Sequence, residues 1–219
     1  AGTLIAFDLD GTLVDSRRDL AESANQLIEE RGGAPLAIDA IGRMVGEGAA
    51  VLVRRALTAA GLPDGPEALA RFLAIYDERL LNHTRPYPGM LDVLTAVRPH
   101  ARVALLTNKP HRPSVRILEA FGVLDLFDEI RGGDGPHPRK PDPTALRTLM
   151  VGAGVAGDRT WMVGDSFVDH QTAAGAGARC CLTAFGFGFE TFPEAALTPR
   201  DWVVRSPDAL LARLERLWT

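Results

Sequence analysis

Lysine is nearly missing from this 219-residue chain: only Lys109 and Lys140 are present, against 22 arginines. Arginine and lysine are not interchangeable, so each exception calls for a chemical reason, such as a site that needs a compact point charge. Cysteine is as scarce. Its two copies, Cys180 and Cys181, are adjacent in an apolar run, a poor geometry for an ordinary disulfide, and buried reduced thiols are expected. No apolar run reaches the roughly 18 residues of a membrane span. The N-terminus lacks the basic-then-apolar form of a secretory signal, so a cytoplasmic protein is expected. Nor is there an excess of positive charge. The net charge of −4 gives no footprint for nucleic acid. Internal repeats and low-complexity tracts are missing as well.

What is present is ordinary in bulk and unusual in placement. Hydrophobic residues make up 46% and charged residues 24%, as in globular proteins long enough to bury a real core. In the stretch 4–16, LIAFDLDGTLVDS, the apolar run Leu4 to Phe7 ends at two carboxylates, Asp8 and Asp10. Residues i and i+2 of a strand share a face, so both can point into one cavity. Gly11 behind them permits backbone geometry that other residues resist. Two such carboxylates repel each other unless a cation lies between them or one holds a proton.

Residues 17–31 carry Leu20, Ala24, Leu27 and Ile28 at helical spacing, with Asp15 or Ser16 as N-cap and Gly32-Gly33 as the stop. Further helices are expected over 49–60 and 66–81. The block 16–86 therefore reads as an all-α insertion, closed by the Pro86-Tyr87-Pro88-Gly89 turn. From residue 90 helices (90–98, 113–121, 143–153, 169–176, 207–217) alternate with strands (103–106, 127–130, 160–163, 179–183, 202–204). That order predicts an α/β fold, a doubly wound parallel sheet covered on both faces. Ligands bind outside the carboxyl ends of strands in such sheets. The segments at those ends are Asp8 and Asp10, Thr107-Asn108-Lys109, Arg139-Lys140-Pro141-Asp142, and Gly164-Asp165-Ser166 with Asp169 nearby. Both lysines fall in this set.

With DLDGTLVDS, LLTNK, RKPDP and VGDSFVD in this order and spacing, the chain resembles the haloacid dehalogenase superfamily phosphatases over essentially its whole length. The resemblance implies a Rossmann-like core, 1–15 and 87–219, with a helical cap domain, 16–86, inserted after the first strand. It implies Asp8 as a nucleophile forming an aspartyl phosphate and Asp10 as the acid and base toward leaving alcohol and water. Mg²⁺ would be held by the Asp8 carboxylate, the Asp10 carbonyl and Asp165. Thr107 and the Asn108 N–H would meet phosphate oxygens, and Lys140 would stand against Asp8 and the phosphoryl group. Asp169 would orient Lys140 or stand behind the metal. Lys109 belongs to the TNK variant of the second motif, contacting substrate or lying at the rim.

Within the family, Asp10 argues against a dehalogenase, and a cap without lysine argues against a phosphonate hydrolase with a Schiff-base lysine. A sugar-phosphate mutase shares the roles of Asp8 and Asp10. A phospho-accepting signalling module would leave Asp10 and the cap unexplained. The stretch 45–57, VGEGAAVLVRRAL, resembles the cap of phosphoglycolate phosphatases. Gly46 and Gly48 there would open a helix whose free N–H groups receive a carboxylate, helped by Arg43, Arg54 or Arg55. The expected substrate is a small phosphorylated metabolite, with 2-phosphoglycolate leading, and the expected assembly a monomer or homodimer.

Plainer readings exist for each residue. Asp8 and Asp10 can be a solvated strand end, Thr107 and Asn108 or Asp169 helix caps, Lys140 a loop charge, and Gly46 and Gly48 turn residues. A calcium loop is a poor fit, because Leu13 stands where that pattern needs Gly. The five histidines show no ligand spacing, with only His111 near the rim, and Phe185, Phe187 and Phe189 read as packing anchors.

Overall fold

A computed structural model describes residues 2–218. Six strands form one parallel sheet: β1 (Leu4–Phe7), β4 (Arg102–Leu106), β5 (Glu129–Arg131), β6 (Thr160–Gly164), β7 (Arg179–Thr183) and β8 (Trp202–Val204). Their spatial order is β5-β4-β1-β6-β7-β8, so the chain builds to one side of β1 and then restarts on the other. Between those halves lies the switch point where doubly wound sheets bind ligands.

β1 is buried along its whole length because both sheet faces are covered. Alternation sorts the side chains. Ile5, Phe7, Val103, Leu105, Trp161, Val163 and Cys181 join one apolar cluster, while Leu4, Ala6, Ala104, Leu106, Met162, Cys180 and Leu182 join the other. Each fully buried large side chain among them contributes about 1.5–3 kcal/mol. The neighbouring cysteines thus point to opposite faces, and both are free and buried.

Helices α5 (Met90–Val97), α6 (His111–Ala120), α7 (Thr144–Ala153), α8 (Phe167–Ala176) and α9 (Pro207–Glu215) alternate with these strands. Two begin earlier than their periodicity predicts. Helix α6 starts at His111 because Pro113 is tolerated in a first turn, and α8 starts at Phe167 because Ser166 and Asp169 form a capping box. Asp169 is therefore the third residue of its helix and not its N-cap.

Between β1 and α5 lie α1 (Arg17–Glu30), α2 (Ile38–Gly42), α3 (Ala49–Ala59) and α4 (Ala68–Arg79). Helix α1 packs against the other three. The insertion is not helical throughout: β2 (Val14–Asp15) pairs antiparallel with β3 (Arg85–Pro86), a two-stranded ribbon where the chain leaves and returns. Asp19 of α1, fully buried, accepts hydrogen bonds from His83 N, Thr84 N and Thr84 Oγ1 beside that ribbon. Among the described residues no helix is long and apolar enough to cross a membrane.

Candidate active site

The parallel register fixes which strand ends are neighbours. Phe7 stands level with Leu105 of β4 and Val163 of β6, so the residues just beyond, Asp8, Thr107 and Asp165, emerge on one rim. All three are nearly or fully buried. Lys140, only 4% exposed, reaches in from the loop after β5. Its Nζ lies 3.0 Å from Asp8 Oδ1 and donates to Asp169 Oδ1 at 2.6 Å. The other oxygen of Asp169 accepts from the Ser166 N–H at 3.1 Å and the Ser166 hydroxyl at 2.6 Å. The Lys140–Pro141 peptide bond is cis.

Close approach explains the glycines here. A Cβ on Gly11, whose φ is +82°, would stand 1.9 Å from Asp165 Oδ2. One on Gly186 would stand 2.0 Å from the Gly11 carbonyl. Asp165 Oδ2 accepts the Gly188 N–H at 2.7 Å, so its orientation comes from the loop after β7.

Electrostatics set this cluster apart. Burial raises the Asp8 carboxyl from 3.8 to about 6, although Lys140 pulls it down and Asp169 and Asp10 push it up. Burial, with Asp169 and Asp8 adding to it, lifts Asp165 well above the carboxylate range. Burial disfavours the Lys140 ammonium, but Asp169 and Asp8 outweigh it and its pKa rises. Oxygens of Asp8, Asp165 and Asp169 lie within 4.8 Å of one another, so three carboxylates share one ammonium. An all-oxygen donor set with unbalanced negative charge fits a hard divalent cation such as Mg²⁺. Of the three, Asp169 has both oxygens engaged by Lys140 and Ser166. That leaves Asp8 and Asp165 better placed to hold the ion.

A cleft of about 540 Å³, counting its open mouth, rises from Asp8 and Asp10 toward α1, α3 and α4. Thr107, Asn108 and Lys109 line it from the core, and Gly46 and Gly48 from the insertion. The Asn108 amide does not cap α6. Its Nδ2 donates to the carbonyls of Gly46 and Lys140, both at 2.9 Å, tying the glycine loop to the lysine loop. Its backbone N–H has no acceptor among the described residues. Thr107 Oγ1 accepts the Lys109 N–H at 3.2 Å.

Lys109 is not a rim residue. Its Nζ donates to both oxygens of Asp10 at 3.1 Å and to the Tyr76 hydroxyl at 2.6 Å. Burial opposes that ammonium, but Asp10 and Tyr76 prevail and its pKa is raised. Asp10 Oδ1 also accepts from Ser16 Oγ at 2.5 Å. Ser16 precedes α1 without capping it through its side chain, and Asp15 Oδ1 instead accepts the Arg17 N–H at 3.1 Å.

Helix α3 opens at Gly48, with φ +93°, and a Cβ there would meet Arg139 Nη1 at 3.3 Å and the Asn108 carbonyl at 3.4 Å. The cap arginines do not reach the cleft. Arg54 is exposed, Arg55 pairs with Glu47, and Arg43 lies 3.8 Å from Glu190, so the cleft lends them no support as substrate contacts. His111 is exposed and does not line it either. Tyr76 and Ser16 are the contributors that motif spacing missed. Tyr76 is one of only two tyrosines, four residues after Phe72 in a helix, which was the one available signal.

Known proteins are similar to this chain in sequence and in fold. The family model of haloacid dehalogenase-like hydrolases matches residues 5–183. A curated phosphoglycolate phosphatase from Rhodospirillum rubrum is 42% identical over 202 residues, covering 88% of this chain and 83% of the relative. Another phosphoglycolate phosphatase, from Cereibacter sphaeroides, is 40% identical over 218 residues, covering 97% of this chain and 98% of the relative. A crystal structure described as a predicted phosphoglycolate phosphatase from Haemophilus somnus 129PT superposes with a TM-score of 0.90 at 29% identity, covering 97% of each chain. Matched almost end to end and carrying its motifs at adjacent strand ends, the chain belongs to the haloacid dehalogenase-like hydrolase family.

Proposed function

We propose that this protein is a Mg²⁺-dependent phosphomonoesterase that works through an aspartyl phosphate on Asp8, with 2-phosphoglycolate as the leading substrate. The observation that carries the reading is the buried Asp8–Lys140 contact at the end of the central strand, inside an excess of carboxylates.

Asp8 attacks phosphorus, forming a carboxylate oxygen–phosphorus bond as the ester oxygen–phosphorus bond breaks. Asp10 gives its proton to the departing alcohol oxygen. It then takes one from the water that attacks phosphorus and releases phosphate, restoring Asp8. Lys140, the Thr107 hydroxyl and the free Asn108 N–H face the phosphoryl oxygens, where negative charge must be balanced. The Asp8 and Asp165 carboxylates and the Asp10 carbonyl would hold Mg²⁺, which when bound neutralises the carboxylates and lets an anionic phosphate approach. Residues 16–86 act as the cap, and residues 1–15 and 87–219 as the core.

The substrate carboxylate would be received at the N-terminus of α3, since no arginine lines the cleft. The curated relatives' names support 2-phosphoglycolate. The test is phosphate release from a panel of phosphomonoesters with Mg²⁺ and with a chelator. Mg²⁺-dependent release, fastest from 2-phosphoglycolate, is expected. No release from any ester would overturn the reading, and return of the phosphoryl group to the substrate would make the protein a mutase.

A second expectation isolates the cap loop. Gly48→Ala forces a side chain onto φ +93° and against Arg139. The KM for 2-phosphoglycolate should rise about 5- to 50-fold, with a smaller change for an ester lacking the carboxylate. Equal changes for both would remove α3 from carboxylate recognition.

A further inference from the structure

Asp10 is gripped on two sides. Ser16 Oγ, at the entry to the insertion, holds one oxygen at 2.5 Å, and Lys109 Nζ spans both oxygens at 3.1 Å. An ammonium equidistant from both oxygens fixes the plane of a carboxylate only if the ammonium is itself fixed. Lys109 obtains that third point from the insertion: its Nζ donates to the Tyr76 hydroxyl at 2.6 Å and lies 4.4 Å from the centre of the Tyr76 ring. Tyr76 is held in turn. It is 4% exposed and its ring stacks on Phe72 at 5.9 Å with an 8° interplanar angle, both on α4. Burial pushes the Tyr76 hydroxyl up to about 12, so it stays a neutral partner. One chain of contacts therefore runs from α4 through Lys109 to the proton-carrying carboxylate.

We propose that Tyr76 is a positioning residue that acts through Lys109 to orient the Asp10 carboxylate, so that Asp10 is aligned for proton transfer when α4 lies over the cleft. The proposal rests on the phosphatase reading and deepens it. In this role Tyr76 transfers no proton itself, since its hydroxyl is engaged by Lys109. Its contribution lies wholly in where it places a group that does.

A positioning role for a general acid has a signature that a packing role lacks. The value of kcat/KM reports steps up to departure of the alcohol. An aryl phosphate with an acidic phenol leaves without protonation, whereas an alkyl phosphate needs it. Tyr76→Phe deletes only the hydroxyl and keeps the ring on Phe72 and Lys109. With an alkyl phosphate, kcat/KM should fall 10- to 100-fold, through kcat with KM within about twofold, and with p-nitrophenyl phosphate less than threefold. Lys109→Met should show the same bias, larger, and Tyr76→Phe should add little in the Lys109→Met background.

Thermal unfolding checks that each variant is folded, and circular dichroism compares helix content. Equal losses on both esters, or none on either, would overturn the proposal, as would additive losses in the double variant. A wild-type protein inactive on every phosphomonoester would instead overturn the phosphatase reading. If Lys109→Met fails to fold, the Tyr76→Phe comparison alone decides, since it removes one oxygen atom from an otherwise unchanged ring.

Discussion

Asp8→Asn should lose at least about 10⁴-fold in phosphate release and yet unfold at a higher temperature than the wild type in metal-free buffer at neutral pH. The first half follows from chemistry: an amide has no anionic oxygen to attack phosphorus. The second follows from linkage. The Asp8 carboxyl rises from 3.8 to about 6 on folding, so the folded protein holds that proton more tightly than the unfolded chain does. The stability this supplies is complete below pH 3.8 and is lost as pH rises through about 6. At neutral pH the charge is a cost of roughly 1–3 kcal/mol that asparagine removes, worth several degrees in a chain this size. Measured together by phosphate assay and by thermal scans at pH 5 and pH 7.5, the variant should gain more at the higher pH. Retained turnover would mean that another group is the nucleophile. A lower unfolding temperature at pH 7.5 would mean that the Lys140 contact outweighs burial.

Lys140→Arg tests charge against shape. The substitution keeps a cation beside Asp8 and Asp169, so neither loses its ion pair and the fold should persist. Shape is not kept. Lys140 Nζ lies 3.0 Å from Asp8 and 2.6 Å from Asp169 in a position 4% exposed, with no room for a planar fork. A loss of about 10²- to 10³-fold in kcat/KM is expected, with weakened inhibition by inorganic phosphate. Near-normal kinetics would show that any positive charge suffices there.

The site was legible where the sheet did the placing. A parallel register delivers the carboxyl ends of β4, β1 and β6 to one rim, so the polar residues after Leu106, Phe7 and Gly164 needed only strand recognition to be grouped. The directions of side chains were not legible. The Asn108 amide spans to Gly46 and Lys140, 62 and 32 residues away, and the Tyr76 hydroxyl meets a lysine 33 residues on. Local pattern carries no information at those separations. Periodicity also bears on Arg54: in α3 the buried stripe is Leu52, Val53, Ala56 and Leu57, which puts Arg54 and Arg55 on the opposite face. Strands β2 and β3, two residues each, are too short for any alternation to show.

That short ribbon bears on how such a chain can be re-engineered. Val14 lies opposite Pro86 and Asp15 opposite Arg85, so the two points where the polypeptide departs and comes back are already joined. Everything between them is an excursion whose ends are side by side, and its length places no demand on the sheet. A cassette exchange at these two junctions, carrying in a foreign four-helix segment or a short turn, should leave the six-stranded half able to assemble. Asp8, Lys140 and Asp165 would stay with the sheet, whereas Ser16 and Tyr76 would leave with the excursion, so any segment carried in across the ribbon must bring its own partners for Asp10 and Lys109.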